Sequence, residues 1–385
     1  MKSLYKIVVA VMLIAMLLTA CGPKAEATPA VSTDLADLSW DEIVAQAKEE
    51  GEVTFYAWWG EEWWKTAAQQ FEDEYGIKVT VVMGDNAVDK IISEKDNATG
   101  TVDVQLFGGQ SVKTVIDGGL LYGPIIPLLP EGDKLDPTLS RVQEGVQTGG
   151  YLAPIYRNQT GLLYNPEKVT NPPQTWDEFV AWIDANPKQF AFCDPNKGGS
   201  GQAMVFTVII NLTGGLDQYM GDTELDPAKV AKWDVVWEWF SEHMDNMTLT
   251  ASNNESIDTL NQGQTSMVVA WDDDTQINFD SGSLFKGATI YIPKMGMPGG
   301  GDTAGIIKNS PHKAAGLLWL SYLTSYDGQQ QMNDMLGSYP GRTDLPNTRA
   351  LLKDDQRLAN GLPWFPAPYK SEMIKEFTEF VLMGQ

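Results

Sequence analysis

The run with the most chemistry in it is Trp271-Asp272-Asp273-Asp274, set directly behind the apolar stretch Met267–Ala270. Three adjacent acids repel one another. Alternation in an extended segment sends Asp272 and Asp274 to one side and Asp273 to the other, so at most two share a site. A carboxylate that neutralises charge, beside an aromatic face that covers methylene or methyl groups, is the chemistry of an amine or quaternary-ammonium receptor. The competing description is a solvated turn with an Asx cap. Trp58-Trp59-Gly60 is similarly double: two tryptophans in a loop stack on a sugar face or hold a cation, or one of them packs in a core.

Position supplies the other candidates. In an open α/β sheet ligands sit outside the carboxyl ends of the strands, so the loops behind strands carry the site. Asp85-Asn86 follows an expected strand at Ile77–Met83, where Asp85 serves a ligand or caps the next helix. Gly109-Gln110-Ser111 follows a strand ending at Phe107; glycine allows close backbone approach there, and Ser111 meets ligand or caps a helix. Asn158 and Gln159 lie at the expected first crossover and face a cleft or satisfy a hinge. Asp302-Thr303 behind Gly299–Gly301, and Tyr339 with Arg342, complete the set. Arg342 complicates a purely cationic ligand, because a guanidinium either pairs with an acid of the pocket or takes a carboxylate or phosphate on the solute.

Signatures of catalysis fail. Cys193–Gly201 precedes a helix, an anion-friendly geometry, but lacks the Gly-Lys-Ser/Thr ending of a P-loop. Gly198-x-Ser200 is followed by Gly201-Gln202 and misses G-x-S-x-G, and neither His243 nor His312 is spaced for a triad. The turn is then a ligand contact or a structural start to the helix. With 2 His and 2 Cys, zinc clusters and disulfide frameworks lack their raw material, and no cofactor or metal is expected. The 51 acids against 27 bases repel nucleic acid and anionic lipid surfaces.

The elements that must position these groups alternate. At 385 residues the chain exceeds one core, so two α/β lobes are expected. A helix at Trp40–Glu50, a strand at Val53–Ala57, a helix at Trp63–Tyr75 ended by Gly76, the strand Ile77–Met83, a helix over Asn86–Lys95 and a strand at Val102–Phe107 give a βαβ rhythm. Ser111–Gly118 is the next helix, with a proline-punctuated exit. Ala153–Tyr164 opens a second group: helices at Thr175–Ala185 with Thr175 as N-cap, Gln202–Leu212, Ala228–Asp245 and Asn254–Gln262, and strands at Met267–Trp271 and Ala288–Ile292 that cross back to the first lobe. His312–Leu336 and Lys370–Leu382 read as helical.

Residues 1–20 have the basic start and apolar core of a signal peptide, and Leu18-Thr19-Ala20-Cys21 resembles the bacterial lipobox, which implies lipid on Cys21 and anchoring at the cell envelope. Residues 21–37 read as a flexible tether. Cys193 is then unpaired, a buried small apolar residue.

Five runs in order resemble the extracellular solute-binding proteins of bacterial ABC importers, in the branch with polyamine-, iron(III)- and thiamine-binding members. They are Val53–Trp59, Phe71–Val79, Asp103–Phe107, Gly118–Leu121, and Tyr164–Val169 with Pro172–Phe179 (YNPEKV, PPQTWDEF). The resemblance implies a two-lobed periplasmic-binding-protein-like fold with two crossover strands and a ligand cleft. The implied division is 38–155 as the first part of lobe 1, 156–268 as lobe 2, 269–310 as a return to lobe 1 and 311–385 as C-terminal helices across both. It implies a monomer that is no enzyme and hands a small polar solute to a membrane permease. The chain departs from the iron(III) members in lacking their paired tyrosines. The acids favour a cationic, polyamine- or thiamine-like solute; a sugar or polyol is the alternative, and an exported glycoside hydrolase, which needs a carboxylate pair across a cleft, is the rival class.

Overall fold

The computed structural model describes residues 34–84, 87–109 and 111–384 and divides the chain into two units, 1–38 and 39–385. Cys21, the leader, Asp85, Asn86 and Gln110 lie outside the described residues. In the first unit, Leu35–Asp37 form one 3-10 turn, capped by Asp34 on the amide of Ala36.

The second unit is built on a curled sheet. Its strands are β1 (Glu52–Ala57), β2 (Lys78–Met83), β3 (Val104–Phe107), β4 (Leu121–Tyr122), then β7 (Ala153–Tyr164), β8 (Phe190–Cys193), β9 (Met247–Thr250), β10 (Met267–Trp271), β11 (Thr289–Tyr291), β12 (Met297–Ile307), β13 (Tyr339–Pro340) and β14 (Gly361–Pro363). A separate hairpin joins β5 (Val142–Gln143) to β6 (Val146–Gln147). The main path runs β2-β1-β3-β12-β7-β10-β8-β9. β1 is parallel to β2 and β3, as the βαβ rhythm requires, and β8 is parallel to β9 and β10.

β7 and β12 run antiparallel through the middle and belong to both halves of this path. The strand that returns is therefore β12. Met267–Trp271 and the strand expected at Ala288–Ile292 instead pair with the far end of β7, β10 through Met267↔Tyr164 and β11 through Thr289↔Tyr164. β12 hides in the sequence because its centre is Gly299-Gly300-Gly301, which reads as a loop. The glycines are steric: a Cβ at Gly299 would stand 2.3 Å from Gln159 Oε1, and one at Gly301 2.3 Å from the carbonyl of Tyr156.

Local signals place the helices. Ser39 and Glu42 form a capping box ahead of Trp40–Glu50, and Thr175 and Glu178 another ahead of Trp176–Ala185. Two expected helices are broken. Ala228–Asp245 divides into Pro227–Val230, a 3-10 turn and Asp234–His243, around Trp233, whose buried ring donates to Tyr219 Oη at 2.9 Å. His312–Leu336 divides at Ser325, whose extended backbone and Oγ cap on Gly328 start Tyr326–Leu336 after Lys313–Thr324 ends.

Trp64, Phe55, Phe71 and Trp319 pack edge to face under the β1 side, with Trp63 tilted against Trp64. A larger apolar cluster joins β8 and β10 to helix Gly199–Thr213 and to the C-terminal Phe365, Tyr369 and Phe377. Full burial of such side chains contributes about 1.5–3 kcal/mol each.

Candidate functional site

One cavity of about 790 Å³ lies where the strands of both halves end. Trp58 and Trp59 follow β1 and line it. Gly60, at φ 77°, turns the chain into helix Glu61–Tyr75, and Trp64 Nε1 donates to the carbonyl of Trp59. Trp59 faces across the cavity: its indole Nε1 donates to Asp274 Oδ1 at 3.1 Å, and its ring lies 5.4 Å from that of Tyr156 on β7.

The aspartate run differs from the expectation of an extended segment. Trp271 is the N-cap and Asp272–Ser281 is a helix, so the acids occupy its first turn, where the helix dipole favours negative charge. They therefore fan out about 100° apart rather than alternating. Nor is this a solvated turn, since Asp272 and Asp273 are 0% and 3% exposed. Asp272 lies behind the wall, its Oδ1 accepting from the backbone N–H of Gln159 at 3.1 Å. Asp273 accepts from Ser338 Oγ at 3.0 Å and, with Asp274 and Trp271, reaches the cavity. Gly199 makes room for Trp271, since a Cβ there would stand 2.7 Å from its ring.

Asp302 on β12 lines the cavity and accepts from Tyr156 Oη. Burial pushes its carboxyl up to about 7 against that hydrogen bond, and burial also raises Asp272, Asp273 and Asp274, with neighbouring acids adding to the rise at Asp273. The three cations at the cavity are already paired: Arg157 with Asp136, Arg357 with Asp354, and Lys370 with Glu144. Asp273, Asp274 and Asp302 have no salt-bridge partner among the described residues.

Asn158 and Gln159 also line the cavity, but Gln159 Nε2 is spent on the carbonyls of Thr160 and Met297, which ties β7 to β12. Besides Asp272, four expected ligand groups do not reach it. Ser111 donates to the carbonyl of Gly108 at the start of its helix. Thr303 donates to Gln143 Oε1 at 2.6 Å behind β12. Tyr339 is buried with its hydroxyl on the carbonyl of Leu352. Arg342 is held by Glu131, Asp344 and the carbonyl of Thr324. In each case a protein partner satisfies the polar group that a ligand would have used.

Several lining residues escaped sequence reading: Glu144 at the β5–β6 turn, Tyr156, Gln202, Asn253, Trp364 and Lys370. Trp364 carried a signal, an aromatic between Pro363 and Pro366. Cys193 is buried, its thiol pushed up to about 12 chiefly by desolvation. His243 stacks on Trp239 and His312 bonds Asp103, both outside the lining. Among the described residues no group of three or more His, Cys, Asp or Glu is placed to hold a metal, and no helix is long and apolar enough to cross a membrane.

Solved structures share this architecture. Iron-bound HitA of Pseudomonas aeruginosa superposes with TM-score 0.62 at 18% identity, over 86% of this chain and 99% of that one. The AfuA periplasmic binding protein of Actinobacillus pleuropneumoniae, with fructose-6-phosphate bound, gives 0.65 at 16% identity over the same shares. The spermidine/putrescine substrate-binding protein PotD of Streptococcus pneumoniae gives 0.66 at 14%, over 87% and 99%. At these identities they establish a periplasmic-binding-protein-like fold. A family model matches residues 66–360, well over half of the sequence, and by that match the chain belongs to the bacterial extracellular solute-binding proteins.

Proposed function

We propose that this protein is the solute-capturing component of an ABC importer, tethered outside the cytoplasmic membrane through Cys21, and that it takes a small organic cation. The observation that carries this reading is the imbalance of the cavity. Among the described residues every lining base is already paired, while Asp273, Asp274 and Asp302 are drawn from water without a salt-bridge partner and stand beside Trp59 and Trp271. An ammonium placed there neutralises carboxylates that the protein leaves bare, and the indole faces cover its carbon substituents. The residues we assign to the ligand are Trp58, Trp59, Asn158, Trp271, Asp273, Asp274 and Asp302, and we add Asp85, Asn86 and Gln110 from their sequence positions behind β2 and β3.

Capture works by differential affinity for a closed state, with the halves carried by 38–155 and 156–268 moving about β7 and β12. No chemistry on the solute is required, and we expect no turnover of a glycoside panel. Four tryptophans at the cavity, Trp58, Trp59, Trp271 and Trp364, favour a sugar or polyol as the second reading.

Melting of the protein against amines, thiamine derivatives, sugars, polyols and phosphate esters, at low and high salt, separates the two. A ligand at 100 times its Kd stabilises by about 2.7 kcal/mol. A salt-sensitive shift with an amine supports the cationic reading; a salt-insensitive shift with a sugar alone overturns it.

A further inference from the structure

A second charged group closes another side of the same cavity, and its cation belongs to the chain. Glu144 stands at the turn between β5 and β6, and Lys370 in helix Ala367–Glu376, which packs into the apolar cluster around β8. Lys370 Nζ donates to Glu144 Oε1 at 2.6 Å, with both side chains 8% exposed. The same ammonium lies 4.0 Å from the centroid of the Trp364 ring. Gly109, at φ +59°, passes directly over the pair: a Cβ there would stand 3.6 Å from Nζ and 3.7 Å from Glu144 Oε2.

Glu144 itself is held in the left-handed region at φ 48°, fixed by the hydrogen bond from the amide of Ala367 to its carbonyl at 3.0 Å. Its second oxygen, Oε2, is buried with no hydrogen-bond partner among the described residues. A buried carboxylate with a spare acceptor, an aromatic face and a glycine wall together form an ammonium receptor.

We propose that Lys370 fills, as a built-in ligand, a second ammonium subsite made by Glu144 and Trp364, so that the cleft accepts solutes with one cationic centre and turns away those with two. This rests on the cationic reading of the cavity. The two subsites adjoin: the rings of Trp271 and Trp364 are 6.2 Å apart, and Asp302 lies within electrostatic reach of both Glu144 and Lys370. A diamine anchored at Asp274 and Asp302 would carry its far ammonium toward that of Lys370, where like charges repel in a partly desolvated space.

The test compares wild type with Lys370→Ala and Lys370→Met, using n-butylamine, the α,ω-diamines of four to eight carbons, and ethylammonium chloride against sodium chloride at equal ionic strength. By titration calorimetry, wild type is expected to bind the monoamine at least as tightly as any diamine. Lys370→Ala should raise the diamine-to-monoamine affinity ratio by roughly tenfold or more. Ethylammonium should raise the melting temperature of Lys370→Ala by clearly more than that of wild type or Lys370→Met, whose shifts come from the acidic subsite alone, because methionine fills the volume of the second subsite without supplying the charge. Lys370→Met also replaces Lys370→Ala in the affinity comparison should the latter fail to fold, with the same direction expected. A wild-type preference for diamines, or an unchanged ratio with no extra ethylammonium shift in Lys370→Ala, overturns the proposal. If wild type binds no amine while ethylammonium still stabilises Lys370→Ala, the cationic-solute reading falls and the subsite stands. If wild type binds the monoamine and the variants behave like it, the subsite falls and that reading stands.

Discussion

Arg342, 5% exposed, and Asp273, 3% exposed, are equally withdrawn from water, and they differ in what surrounds them. The Arg342 guanidinium has Glu131, Asp344 and the carbonyl of Thr324 within 2.9 Å, so its charge is neutralised and its donors are used. Asp273 has Ser338, the amide of Asp274 and two further acids beside it, but no cation among the described residues. Burying a charge is expensive unless it is paired. Arg342 meets that condition within the fold; the aspartates meet it only by holding protons or by receiving a ligand. A closed charge network serves stability, and an open one is available for binding.

The largest expected effect breaks the closed network. Arg342→Met should cost about 2–3 kcal/mol of stability, since hydrogen bonds to a charged group are lost and the Thr324 carbonyl is stranded, and it should leave ligand preference within about threefold. Chemical denaturation together with calorimetry checks both halves; a changed preference would place Arg342 in the site after all.

Opening the acidic network further should do the reverse. Asp274→Asn keeps an oxygen for Trp59 Nε1 and removes the charge, so amine affinity should fall by about tenfold or more while a neutral ligand changes by less than about threefold. The apo variant should be no less stable than wild type at pH 7. Equal small losses for amine and sugar would remove the charge assignment.

The same contrast has a pH signature. Burial holds the Asp302 carboxyl near 7, well above its value in the unfolded chain. As pH rises from about 4, the unfolded state releases this proton first, so the apo protein loses stability across the interval up to about 7. Asp302→Asn retains an acceptor for Tyr156 and escapes that loss. Its melting temperature relative to wild type should climb between pH 4 and 7 and level off above; a flat difference would mean that Asp302 is ionised throughout. The smallest effect is expected of Trp59→Phe, which loses one hydrogen bond to Asp274 but keeps a ring face, and should weaken an amine by a few fold.

What the sequence showed, and what it hid, follows the range of the forces involved. Capping boxes at Ser39 and Thr175, the stop at Gly76 and the β-branched run Ile77–Met83 are local signals, and those elements stand within two residues of where they were read. The loop behind β1 likewise brought Trp58 and Trp59 to the cavity and the end of β10 brought Trp271, whereas Asp302 reaches it from within β12. Three acids in a row read as an extended segment or a solvated turn, and the helix they begin emerges only where β10 and Ser338 meet them in the fold. Arg342 and Tyr339 look like ligand groups in a string of letters because their partners, Glu131 and Leu352, lie elsewhere in the chain. Lys370 and Glu144 are 226 residues apart, and no periodicity joins them.

The most direct measurement is the proton count on binding. Titration calorimetry of the protein with the amine giving the largest melting shift, at pH 6.5 in two buffers of different ionisation enthalpy, reads the protons exchanged. A cation captured by Asp273, Asp274 and Asp302 must expel protons from them, so net proton release is predicted, with affinity rising toward pH 7.5. Amine binding with no proton release, or a sugar that binds while every amine fails, would contradict the assignment of these carboxylates to a cationic solute.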